Sequence, residues 1–337
     1  MLKPDLIKIR HLIQLAFFVT TCAVGIQFYL YVKQASGSGV MTIPRPIGVE
    51  GFLPIGALMG WKRFFLTGEW DIVHPASMVI LGFAVLISFF FHKAFCSWFC
   101  PVGTLSEWLW KIGKGIFGRN FALPKWLDYI LRALKYILLG IFLYVVLTMP
   151  LPEISAFIES PYYKVSDVKM LRFFTHMSLT TAIVLTVITI GSLFIKNFWC
   201  RYACPYGALT GLFGLISISR IKRNSNNCID CGQCSEVCPH TIDVKTKTQI
   251  FSAECSLCMD CIEVCPVDQT LSIQTVGLPK HKSWSTKSLG ATIVILFWCL
   301  IYIATITGYW QTRLSQNENR SLIKRIDSPH ISHPGLN

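Results

Sequence analysis

The chain has 337 residues, enough for one or two domains. Hydrophobic types make up 53% and charged types 15%, against roughly 25% charged in a soluble globular domain, and mean hydropathy is +0.50. That composition rules out a disordered chain and argues against a purely soluble one. The net charge of +13 would point to nucleic acid in a soluble protein, but in so apolar a chain it reads as Lys and Arg fixing topology at a membrane. The 14 cysteines fall short of the roughly 8–10% typical of a disulfide scaffold.

A spanning helix needs about 20 mostly apolar residues. Five stretches qualify, at about 12–32, 76–92, 132–150, 178–196 and 289–310. The first follows a basic N-terminus, but it is longer than a signal-peptide core and no clear small-residue cleavage site follows it, so it is expected to stay as a span. Residues 50–66 are apolar, short and broken by Gly and Pro; they read either as a re-entrant or interfacial segment on the outer face or as an ordinary packed loop. With the N-terminus inside, segments 1–11, 93–135 and 196–288 carry three, seven and ten Lys and Arg, twenty of the 31. This bias predicts an inner-membrane protein with the C-terminus outside.

Residues 96–106 read Cys-Ser-Trp-Phe-Cys-Pro-Val-Gly-Thr-Leu-Ser, and residues 200–210 read Cys-Arg-Tyr-Ala-Cys-Pro-Tyr-Gly-Ala-Leu-Thr. Both are C-x-aromatic-x-C-P-x-G-x-L-[S/T], offset by 104 residues with two spans between them, which predicts a parallel internal repeat facing one side of the membrane. Proline after the second Cys is suited to the first turn of a helix, so Cys100 and Cys204 are expected at helix N-termini, where the helix dipole would lower a thiol pKa. Three readings stand for Cys96, Cys100, Cys200 and Cys204: an additional iron or iron–sulfur site between the repeats, structural cysteines, or a redox-active thiol or disulfide pair.

Residues 228–239 and 255–266 each read C-x₂-C-x₂-C-x₃-C-P, the doubled run of bacterial two-cluster ferredoxins. Three close thiolates wrap one cube, and the fourth Cys ligates the other. One [4Fe–4S] cluster is therefore assigned to Cys228, Cys231, Cys234 and Cys265, and a second to Cys255, Cys258, Cys261 and Cys238. Gly232 is expected to permit the tight loop. Zinc sites use a different spacing, and disulfides fit neither the spacing nor a reducing compartment. The block 221–276 carries four basic and seven acidic residues, which would suit a basic partner or simply a solvated surface.

The expected fold is thus an α-helical membrane protein with about five transmembrane helices and an inserted cytoplasmic 2[4Fe–4S] ferredoxin-like α+β domain. Its expected divisions are the transmembrane repeat region 1–220, the ferredoxin domain 221–277, the last span 278–310 and an extracytoplasmic tail 311–337. That tail is polar, includes His330 and His333, and is expected to lack a core of its own and to dock on a partner subunit.

With these residues the chain resembles the NapH/NosR-type membrane polyferredoxins. The likeness rests on the two CysxxxCysPro motifs, the doubled ferredoxin runs, and the segments from Gly48-Val49-Glu50 through Leu58-Met59 and from Asp71 to Pro75. It implies an iron–sulfur protein passing electrons between the quinone pool or a periplasmic redox partner and the cytoplasmic face. Similar members serve nitrate, nitrous oxide and organohalide respiration, and others serve metal-centre maturation. The chain departs from NosR-type members in having no room for their large flavin-bearing outer domain, and from four-span NapH-type members in its fifth span and tail.

His74 and His176 fall at the predicted outer ends of spans, with Asp71, Glu153 and Glu159 on the same side. A quinol site needs a proton acceptor near the interface, and His74 with Asp71 is the candidate pair, the bland alternative being a satisfied interfacial hydrogen bond. His92 beside Lys93 reads as an interface anchor. Tyr29, Tyr31, Trp108, Trp110, Trp199, Tyr309 and Trp310 read as interfacial belts, and Cys22 and Cys299 as inert core residues. No C-x-x-C-H, G-x-S-x-G, P-loop or convincing dinucleotide motif is present. The expected function is an electron-transfer subunit of a respiratory complex, with lipid and an extracytoplasmic cytochrome or reductase as partners and no nucleic acid. The alternatives are a biogenesis factor that reduces metal or thiols, and a redox-sensing regulator.

Overall fold

The computed structural model describes residues 4–277 and 284–332. His333, Lys3, Lys280 and Lys282 lie outside the described residues. In chain order the elements are α1 (Pro4–Ser36), α2 (Pro54–Thr67), α3 (Pro75–Phe91), α4 (Ala94–Trp98), α5 (Pro101–Phe117), α6 (Lys125–Thr148), α7 (Leu151–Glu159), α8 (Pro161–Lys164), α9 (Ser166–Thr175), α10 (Leu179–Phe194), α11 (Phe198–Tyr202), α12 (Pro205–Leu215), β1 (Ser219–Arg223), α13 (Gln233–Val237), α14 (Asp260–Glu263), β2 (Leu271–Thr275), α15 (Thr286–Ile306) and α16 (Gln316–Lys324). Short 3₁₀ turns cover Val49–Phe52, Ser225–Asn227 and Pro329–Ile331.

Among the described residues, three helices are long and apolar enough to cross a membrane: Ile9–Ser36 within α1, Lys125–Thr148 and Thr286–Ile306. A fourth crossing is available if α9 and α10, bent by 76° at their junction, count as one span. The remaining expected span, α3, is apolar but has only 17 residues. These helices leave large apolar side chains outward, among them Leu12, Val19, Ile137, Tyr144, Ile295 and Tyr302. Water would penalise such surfaces and lipid does not. Cys22 and Cys299 are exposed in the same way, so they are not core residues as expected; in lipid an outward apolar face costs nothing.

The chain divides into two compact units whose boundaries fall inside α1, α3, α6, α10 and α15. The first comprises Met1–Val19, Ala84–Gly140 and Leu185–Phe297. It holds α4, α5, α11, α12 and the ferredoxin block, whose strands β1 and β2 pair antiparallel from Ser219↔Thr275 to Arg223↔Leu271. The elements flanking the two Cys-x-x-x-Cys-Pro motifs succeed one another alike: α4 and α11 span 94–98 and 198–202, and α5 and α12 begin at Pro101 and Pro205, each 104 residues apart. His92 and Asn197 both take φ 51° where the chain turns between helices. His92 is fully buried, with its amide donating to Ser217 Oγ at 3.1 Å, so it is a core turn residue and not a solvated interface anchor.

The second unit comprises Thr20–Phe83, Ile141–Val184 and Trp298–Asn337. The segment 50–66, expected as a re-entrant or interfacial segment or a packed loop, is largely taken up by the 14-residue helix α2 (Pro54–Thr67), started by Pro54 at a position with no amide bond to lose. The tail does not stand apart. Ser315 caps α16 by accepting from the Glu318 amide, the S-x-x-E arrangement. Ile323, Ile326 and Ile331 join a core with Phe28, Tyr31, Val165 and Val168. Asn319 Nδ2 donates to Tyr31 Oη at 3.3 Å and Lys164 pairs with Glu318 at 2.6 Å. The tail has no core of its own but contributes three isoleucines to one whose other residues come from elsewhere in the chain. Tyr31, Trp110 and Trp310, expected in interfacial belts, are buried instead.

Candidate functional site

The two ferredoxin runs fold as matched loops. In each, the residue before the second Cys and the residue after it have positive φ: Asp230 (56°) and Gly232 (77°) in one, Leu257 (48°) and Met259 (71°) in the other. Glycine does this freely at 232; Leu257 and Met259 hold it at a cost of about 1–2 kcal/mol each, and both are fully buried. The loops gather the cysteines in crossed sets. Cys228, Cys231, Cys234 and Cys265 line one cavity, with Ile229, Pro266, Val267 and Leu271. Cys238, Cys255, Cys258 and Cys261 line a second, with Ile221, Ile242, Val244 and Ile250. Four sulfur donors in an apolar shell are the donor set an iron–sulfur cube requires. The two cavities differ in access: Cys231 is exposed, whereas Cys238, Cys255 and Cys261 are buried.

The membrane cysteines form a third group. Cys100 and Cys204 are the caps of α5 and α12, each followed by Pro, as the sequence predicts. Cys204 Sγ accepts from the Gly207 amide at 3.3 Å. Every pair among Cys96, Cys100, Cys200 and Cys204 interacts electrostatically. The expected lowering of the thiol pKa is overturned, however. Burial, then Cys96, pushes Cys100 up to about 12, and burial with the neighbouring sulfurs raises Cys200 and Cys204, outweighing the helix-terminal amides. Four bare thiolates would not coexist here, whereas a cationic metal or cluster core deprotonates its ligands on binding.

This group abuts the second ferredoxin cavity. Ser97 Oγ donates to the Ser256 carbonyl at 2.6 Å and Trp98 Nε1 to the Leu257 carbonyl at 3.3 Å. Thus α4, which carries Cys96, is hydrogen-bonded to the loop between Cys255 and Cys258. The loop is also held from the other side. Arg10 grips Glu107 through two 2.8 Å bonds and reaches Asp260 at 3.0 Å, and Gln14 donates to both Glu107 and the Ser97 carbonyl at 2.9 Å.

In the second unit His74 and Asp71 are fully buried but are not an acid–base pair. Asp71 Oδ1 accepts from the Val73 and His74 amides at 2.8 and 3.2 Å, and Oδ2 accepts from Tyr163 Oη at 2.6 Å. The ring of His74 donates from Nε2 to the Tyr163 carbonyl at 2.8 Å, and its Nδ1 faces Glu50 Oε1 at 3.7 Å. Burial opposes a charge on His74, but Glu50 outweighs it and raises the ring pKa above its ordinary value. Arg45 Nη2 bridges Glu50 (3.0 Å) and Asp167 (2.7 Å). His176, Glu153 and Glu159 are exposed and outside this network. Arg45→Leu would leave two buried carboxylates without their shared cation and should cost about 3 kcal/mol, read as a lower unfolding midpoint of the purified protein.

A 4Fe–4S binding domain family matches the chain twice, at residues 73–120 and 177–224, and a 4Fe–4S dicluster domain family matches residues 216–279. With the membrane-length helices, these matches define a membrane-associated iron–sulfur protein. The chain is 43% identical over 329 residues to YccM of Escherichia coli K12, provisionally named an electron transport protein, covering 96% of this chain and 91% of YccM. It is 29% identical over 166 residues to NirI of Paracoccus denitrificans (48% of this chain, 24% of NirI) and 31% identical over 154 residues to the regulatory protein NosR of Stutzerimonas stutzeri (44% and 20%). No solved structure matches. The chain belongs to the NapH/NosR-type family of membrane 4Fe–4S proteins.

Proposed function

We propose that the chain is a membrane-embedded electron-transfer subunit, with its ferredoxin block on the cytoplasmic side and a redox partner, a cytochrome or reductase, on the outer side. Cys228, Cys231, Cys234 and Cys265 would hold one [4Fe–4S] cluster, Cys238, Cys255, Cys258 and Cys261 the second, and Cys96, Cys100, Cys200 and Cys204 a third iron or iron–sulfur centre. Bound there, such centres supply one-electron storage at potentials set by charge, hydrogen bonding and solvent exposure. The observation that carries this reading is the contact of α4 with the second ferredoxin loop through Ser97–Ser256 and Trp98–Leu257. It joins the membrane cysteines to the second quartet, three of whose cysteines are buried, while the exposed Cys231 of the other quartet offers an edge to a soluble partner. YccM's name, given for electron transport, agrees.

Five spans and a parallel repeat belong to the same reading. The repeat is supported by one family matching twice, at starts 73 and 177, and by the equal offsets of α4/α5 and α11/α12. The inside placement of the ferredoxin block is supported by the twenty basic residues of segments 1–11, 93–135 and 196–288. The outer proton-handling group for a quinol is then His74 with Glu50, not with Asp71, since Glu50 faces the ring nitrogen left without a hydrogen bond and Asp71 is engaged by two amides and Tyr163.

Iron analysis and low-temperature EPR on anaerobically purified protein test the proposal. Iron beyond the eight atoms of two cubes is expected, and Cys96→Ala with Cys200→Ala should remove that excess and leave the ferredoxin signal intact. Eight irons in both proteins would remove the third centre. Protein that is colourless and EPR-silent before and after dithionite would remove the whole reading. A multihaem cytochrome or reductase co-purifying supports the respiratory role, whereas a third centre without any redox partner points to biogenesis.

A further inference from the structure

Lys93 is 1% exposed, and its ammonium has no hydrogen-bond partner. A buried ammonium with three unused donors is costly unless an anion lies near. The facing carboxylate, Glu254 Oε2, stands at 3.6 Å, beyond hydrogen-bonding distance, and Glu254 Oε1 is already engaged by Lys135 at 2.5 Å. Within electrostatic reach of Lys93 are also Cys96, Cys200 and Cys204 of the membrane quartet, Cys255 of the second ferredoxin quartet, and Tyr136, His240 and Lys135. The fold aims Lys93 at this spot deliberately. The left-handed turn at His92 ends α3, Lys93 caps α4, and its carbonyl accepts the Cys96 amide at 3.0 Å. Its stem passes α12 at Gly211, where an added Cβ would lie 3.4 Å from Lys93 Cδ.

The charges here do not cancel. Glu254 pairs with both ammonium groups, Lys135 at 2.5 Å and Lys93 at 3.6 Å. Two ammonium groups against one carboxylate leave one net positive charge. The repeat does not duplicate it: the residue 104 positions after Lys93 is the neutral Asn197.

We propose that Lys93 is the resident counter-charge of the membrane cysteine quartet, raising the reduction potential of the centre held there, and that Glu254, next to Cys255, shares that charge with the second ferredoxin quartet. This rests on the third-centre reading above. A centre with four thiolate ligands is anionic and becomes more so on reduction, so a fixed cation favours its reduced form. Lys93 acts on the centre as a positioning and tuning residue without ligating it.

The test is an EPR-monitored redox titration of full-length, anaerobically purified wild type, Lys93→Met, Lys93→Arg and Glu254→Gln, with iron counted in each. Lys93→Met should disfavour reduction of the quartet centre by about tenfold or more, about 59 mV for a one-electron couple, with its iron retained. Lys93→Arg should keep the wild-type potential, and Glu254→Gln should shift it upward. Should Lys93→Met fail to fold, the upward shift in Glu254→Gln decides the matter. Quartet iron present with unchanged potentials in Lys93→Met and Glu254→Gln overturns this inference alone. Wild type with no more than eight irons removes the reading beneath it, and this inference with it.

Discussion

Cys238→Ala will abolish the iron–sulfur signal of residues 255–261 and spare that of its own run, and Cys265→Ala will do the reverse. Each single substitution should lower ferredoxin iron by about half, with the surviving cluster's EPR signal retained. The reason is the crossing seen in the cavities: Cys265 lines the one built by Cys228, Cys231 and Cys234, and Cys238 lines the one built by Cys255, Cys258 and Cys261. The two losses should differ in kind. Without its cluster the 255–261 loop keeps buried Leu257 and Met259 in left-handed conformations with its sulfur ligands no longer tied together, and that loop supports the Ser97 and Trp98 contacts. Cys238→Ala should therefore also disturb the membrane quartet, and Cys265→Ala should not. Loss of the 228–234 signal on Cys238→Ala would show that each run ligates its own cluster and would refute the assignment.

The same crossing explains what could be read from the residues alone. Ligand spacing within a run is local, and a doubled run leaves little choice of partners, so the cavities gather the quartets that the motifs predict. Helix starts at Pro101 and Pro205 are equally local. Where the structure departs from the sequence reading, partners that no motif marks decide the outcome. Asp71 lies close to His74 in sequence, but its carboxylate is taken by amides two and three residues on, a short-range preference of Asp, and the ring faces Glu50 from 24 residues upstream. The helix dipole at Cys100 is real, yet burial among three other sulfurs outweighs it. Lys135 lay in plain view within an apolar stretch, and an ionisable residue there is a functional signal in its own right. Its partner Glu254, 119 residues away, gave no such sign beyond standing next to Cys255.

The glycines of the two Cys-Pro-x-Gly motifs should respond in opposite ways, although the motifs look alike. At Gly103 an added Cβ would fall 2.2 Å from the Cys96 carbonyl oxygen, a backbone atom that can retreat only by moving Cys96. At Gly207 the equivalent Cβ would meet the Cys200 carbonyl oxygen at 3.4 Å and Cys204 Sγ at 3.7 Å, ordinary contacts. Gly103→Ala should therefore displace Cys96, empty the membrane quartet of its iron and cost about 1–3 kcal/mol, the usual penalty of overpacking. Gly207→Ala should keep the quartet iron and unfold no earlier than wild type, because alanine is favoured over glycine within a helix by about 1 kcal/mol. Iron counts and thermal unfolding of the two variants side by side decide the matter. Equal iron retention in both would mean that α4 and α5 can separate without disturbing Cys96, and that the close approach at Gly103 does not hold the quartet together.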